Sequence, residues 1–155
     1  MKKKYLPLYH DKLINFIKLD WYFLEQKPIV TLSNGVKVKN YDCYEALDLE
    51  KIHAMDTYNV ILVGFVLTDR VLPKKPDYHF HLNTGNVEAI SRCIVNRLHK
   101  KLKHDELVVS ELVVPFYEQS LLTSQFDEVI DVYQNNRRLP IKDIVDKMIK
   151  KMGGV

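Results

Sequence analysis

The sequence predicts an α+β fold, with one small mixed sheet of about four to five strands covered by amphipathic helices and a helical C-terminal segment over 115–152. Three observations predict it. The run from Tyr58 to Thr68 is rich in Val and Ile and has the length of a buried strand. Shorter segments on either side alternate apolar and polar residues, and segments near both ends repeat apolar residues at helical spacing. The 155 residues, 46% hydrophobic and 28% charged, make one domain, 1–155, with enough apolar material for a core of its own.

A basic arm over 1–9 comes first. Leu13, Phe16, Ile17, Trp21 and Leu24 then recur at helical spacing, with Asp11 placed to cap the start and Pro28 just past the end, so an amphipathic helix is expected. Ile29 to Lys39 reads as a hairpin around Ser33-Asn34-Gly35. A two-residue Asn-Gly loop would set Leu32 against Lys37, mixing faces. A three-residue loop pairs Leu32 with Val36 and Val30 with Val38, giving one apolar face and a left-handed Gly35. Asp42 and Glu45 have capping-box spacing before a helix from Cys43 to about Met55.

Tyr58 to Thr68 is too uniformly apolar for a wet face and is expected to be the central strand; Pro73 to Pro76 makes an exposed connection. Tyr78, Phe80 and Leu82 alternate with His79 and His81 as in a half-buried strand. The turn Asn83-Thr84-Gly85-Asn86 leads into a helix burying Val87, Ile90, Ile94, Leu98 and Leu102, and Leu107 to Val114 reads as a return strand. Strand, helix, strand at this spacing makes a βαβ-like parallel crossover. Pro115 opens a short helix, Ser124 with Asp127 caps another carrying Phe126, Val129, Ile130 and Tyr133, and Pro140 to Met152 repeats Ile141, Ile144, Val145, Met148 and Ile149 as a last helix closed by Gly153-Gly154.

The longest apolar stretch, Val60 to Leu67, is far short of the about 20 residues a membrane-spanning helix needs. Lys2 to Lys4 resemble the start of a signal peptide, but Pro7, His10 and Asp11 interrupt any apolar region, so a cytoplasmic location is expected. Cys43 and Cys93 belong to no CxxC pair and read as reduced thiols. Residues 1–104 carry a net +6 and residues 105–155 a net −3, and from Asp105 to Asn136 there are seven acids and no Lys or Arg. Complementary packing of neighbouring elements explains this gradient, as would a surface that steers a charged partner. Lysines number 18 and arginines 5, a balance unlike that of dedicated nucleic-acid readers, which favour the planar guanidinium fork.

No complete catalytic or cofactor-binding motif is present, and no cofactor is expected. His79 and His81, two apart on a strand, point to one side about 6 to 7 Å apart and could grip a metal, with His53, His99, His104 or Asp77 as a third ligand. Their ordinary reading is two histidines on a solvated or partly covered strand face. Arg92, Asn96, His99, Lys100 and Lys103 collect on the polar face of their helix and could lie along a phosphate backbone, although solvation and the helix dipole account for the same residues. The expectation is therefore a non-enzymatic protein–protein interaction module, an adaptor or assembly subunit that contacts another protein or a second copy through its terminal segments and charged faces. Two alternatives stand beside it: a nucleic-acid-binding protein using the face from Arg92 to Lys103, and a metal-assisted enzyme built on His79 and His81.

Overall fold

The computed structural model describes residues 14–65, 67–84 and 105–154. Helix and strand are mixed along the chain as expected, but the single sheet of four to five strands is not confirmed: among the described residues the strands form four two-stranded pairs. β1 (Asn15–Lys18) lies parallel to a later strand, Val60–Val63. β2 (Ile29–Thr31) and β3 (Lys37–Lys39) form the hairpin read from the sequence, with Val30 opposite Val38, the Leu32 amide donating to the Val36 carbonyl at 2.8 Å, and Gly35 at φ 83°. Register and turn agree because both were local: the three-residue loop alone keeps the apolar residues on one face.

The stretch expected to be the first helix is instead β1 followed by a 3-10 turn, Leu19–Tyr22. Phe16 and Ile17 have high strand propensity, and pairing with the Val60–Val63 segment overrides the weak helical period. The helix expected from Cys43 to Met55 is reduced to a 3-10 turn, Tyr44–Ala46, and the five-residue α1 (Leu49–His53). Asp48 rather than Asp42 caps it, its carboxylate accepting the Lys51 amide at 3.1 Å. β4 (Val60–Val63) is an outer rather than a central strand among the described residues. It stops at Gly64, whose missing side chain lets the backbone press on Leu19. Leu19, Leu47, Ile52 and Val71 form the first core, flanked by Tyr22, Phe23, Tyr44 and Leu67.

β5 (Phe80–Asn83) lies parallel to β6 (Glu128–Asp131), so the chain does make a parallel crossover. Its return strand is not Leu107 to Val114. That run is helical: α2 (Asp105–Val108) passes through a π-helical turn (Val109–Val113) into α3 (Val114–Thr123). Val109, Val113 and Ser120 are buried from one helical side, a period that outweighs the β-branched composition. Pro115 supplies no amide for an i to i−4 bond and crowds the preceding turn, which accounts for the local widening.

The helix expected to carry Phe126 to Tyr133 is likewise replaced, by β6 and a second hairpin, β7 (Tyr133–Gln134) with β8 (Arg137–Arg138). The final helix is present as α4 (Ile141–Lys151), entered from Pro140. Gly154 and Gly153 donate to the carbonyls of Ile149 and Lys150 at 2.9 and 3.1 Å, the paired bonds of a Schellman stop. Ile130, Val132 and Ile144, with Phe80, Leu139 and Met148, form the second core. Among the described residues no helix is long and apolar enough to cross a membrane.

Candidate functional site

His79 and His81 do lie on one side of their strand, and that side is covered. His79 is 8% exposed and His81 half-buried, while their neighbours Tyr78 and Leu82 are each 44% exposed. Phe126 enters between the imidazoles, edge-on to His79 at 4.8 Å and stacked on His81 at 4.9 Å between ring centroids. The approach is held by the backbone. The His79 amide donates to the Asp127 carboxylate at 2.6 Å, and the Asp127 amide donates to the His79 carbonyl at 2.8 Å.

From α3, Tyr117 brings its hydroxyl to 2.8 Å from His81 Nε2. Burial and then the neighbouring His79 push the His81 pKa below its ordinary value, and burial pushes the Tyr117 phenol above its own. Both shifts favour the neutral pair, in which the phenol donates and the imidazole accepts. The Tyr117 ring also stacks on Phe65 at 5.6 Å, and the adjacent Phe116 meets Tyr44 edge-on at 5.2 Å. A third tie from the same helical run joins Glu111 to the first hairpin, its carboxylate accepting the Ser33 amide at 3.0 Å. Helix α3 with its π turn thus bridges the segments that carry the two cores.

This cluster can share one proton between Tyr117 and His81, and a metal would have to compete with the phenol for Nε2. Among the described residues no three His, Cys, Asp or Glu side chains gather as a metal site. His53, one possible third ligand, is instead engaged with the Arg70 carbonyl at 2.9 Å. His99, His104 and the whole proposed basic face, Arg92, Asn96, His99, Lys100 and Lys103, lie outside the described residues, as does the arm over 1–9. Sequence reasoning missed Tyr117, Phe126 and Phe65, whose roles depend on contacts across 36 or more residues or on a segment read as helix.

A second feature is the outer face of the β1–β4 pair. The register sets Phe16 beside Ile61 and Lys18 beside Val63 on one face, and Phe16, Ile61 and Val63 remain 47%, 47% and 43% exposed. The C-terminal helix is different: Ile144 and Met148 of its apolar stripe pack into the second core. Comparison of the chain with family models, with curated proteins and with solved structures finds no match.

Proposed function

We propose that the chain is a non-enzymatic protein–protein interaction module whose docking surface is the outer face of β1 and β4. The observation that supports this reading is the row of Phe16, Ile61 and Val63, each nearly half exposed on neighbouring strands of a parallel pair. Parallel strands are ordinarily covered on both faces, so a bare apolar face on such a pair is an unfinished packing layer. Lys18 lies at its margin, beside Val63. The partner that fits is another protein with an apolar face and a carboxylate positioned to meet that ammonium. Terminal contacts enter this reading through the N-terminal arm, since Ile144 and Met148 of the α4 stripe pack into the second core.

A photo-crosslinking residue at position 61, compared with one at exposed Glu50, tests the proposal in cells. The expected result is a discrete protein adduct from position 61 alone, lost when Phe16 is replaced by Lys. Equal or absent crosslinking at both positions, with a monomer by light scattering, overturns it.

A further inference from the structure

The β7–β8 hairpin gathers five consecutive donor-bearing side chains, Gln134, Asn135, Asn136, Arg137 and Arg138, all exposed. Asn135 and Asn136 have φ of 51° and 60°, the two left-handed positions of a type I′ turn, so the tip is a defined two-residue turn joining paired strands. Beside it opens a groove of about 520 Å³ walled by Gln134, Asn135, Arg137, Arg138, Leu139 and Pro140. No carboxylate stands in that wall. On the flanking elements Asp131 accepts from the Asn83 side chain at 2.8 Å, Glu128 lies 3.6 Å from Lys151 and Asp146 3.4 Å from Lys142, while Asp143, in the first turn of α4, is exposed. Among the described residues the guanidinium groups of Arg137 and Arg138 have no ion-pair partner. They are two of only five arginines in a chain with 18 lysines, and they follow immediately on the stretch without any positive charge.

We infer that this groove binds a phosphoryl group, carried by a small phosphate compound or by a nucleic-acid backbone. A tetrahedral phosphate presents acceptor oxygens in several directions. The β7–β8 register sets Gln134 beside Arg137, so one guanidinium fork and the Gln134 and Asn135 amides offer donors to such a group, while Arg138, on the next position of β8, leaves from the other face and adds positive charge at the rim. This site is independent of the apolar face on β1 and β4.

Titration calorimetry of the full chain with inorganic pyrophosphate and, separately, with a short single-stranded RNA tests the inference. Binding that weakens with added salt is expected, and Arg137→Ala with Arg138→Ala is expected to weaken it by about tenfold or more. Replacing both arginines by lysine keeps the charge, removes the fork and is expected to weaken binding severalfold. Pyrophosphate bound as tightly as RNA identifies the small-compound source; RNA bound more tightly identifies the backbone. In the wild-type protein, the amide resonances that move on titration should be those of residues 134–140. The inference is overturned if neither probe binds at low salt, if the lysine variant binds like the wild type, or if the resonances that move lie only in the basic segments before residue 105.

Discussion

Tyr117 and His81 are joined side chain to side chain across the crossover, Oη to Nε2 at 2.8 Å, although 36 residues separate them in sequence. The bond ties α3 to β5, and the same tyrosine ring stacks on Phe65 just beyond β4. One residue therefore touches segments from both halves of the chain. Neither core includes Tyr117, so its contribution is to joining them rather than filling either.

Tyr117→Phe should keep the ring contact with Phe65 and delete only the hydroxyl. His81 Nε2 then loses its donor in a half-buried setting, and the expected destabilisation is about 1 to 2 kcal/mol. Urea denaturation of both proteins checks the magnitude. Proton NMR of the imidazole checks the cause, because loss of a bond to the neutral form should raise the His81 pKa. An unchanged midpoint and an unchanged titration would show that the hydroxyl contributes nothing.

Burial pushes the Asp42 pKa from the ordinary 3.8 up to about 6. The folded state thus holds this proton more tightly than the unfolded chain does. The resulting stabilisation is fully present below pH 3.8 and is lost as pH rises through about 6. At neutral pH the folded protein carries an unfavourable buried charge, and Asp42→Asn should remove it, raising stability by about 1 to 2 kcal/mol after allowance for solvent. Thermal melts should show that gain at pH 7.5 and none at pH 3.5.

The His81 shift has the opposite sign. Its folded pKa lies below the ordinary 6.5, so the unfolded chain takes up the proton first, and stability present above pH 6.5 is lost as pH falls through the lower folded value. Asp42 gains stability over an overlapping range and masks the loss. In an Asp42→Asn background the denaturation midpoint should therefore fall from pH 7.5 to pH 5, and a further His81→Gln change should flatten that slope. A slope that survives the second substitution would assign the effect to another group.

The parts legible in sequence were those whose determinants lie within one or two turns. The Ser33-Asn34-Gly35 loop and its apolar register, the α4 stripe and the glycine stop after it all needed nothing distant. Misreadings fell where a distant partner decides. Phe16 and Ile17 are strand because β4 pairs with them. Val129 and Ile130 are strand because β5 does. Leu107 to Val114 is helical because Val109, Val113 and, beyond that run, Ser120 are buried from one side. For the histidines, spacing gave their common side, but the cover supplied by Phe126 and Tyr117 arises from tertiary packing.

Gly64 is where the first core and the β1–β4 pair meet. A Cβ added there would lie 2.8 Å from Leu19 Cβ, 2.9 Å from Leu19 Cδ2 and 3.0 Å from Leu67 Cδ2. The Leu19 Cβ is fixed to the backbone of the turn that follows β1, so a rotamer change cannot clear it. Gly64→Ala must displace that turn from the end of β4, and the expected destabilisation is about 1 to 3 kcal/mol, reduced slightly by the lower entropy of the unfolded alanine chain. Hydrogen exchange gives the sharper reading. The Asn15 amide, which donates to the Asn59 carbonyl at 2.8 Å, and the β1–β4 ladder amides should lose protection, while the Leu32 amide of the first hairpin should not. Uniform acceleration at all these amides would instead mean that the substitution acts through global stability alone.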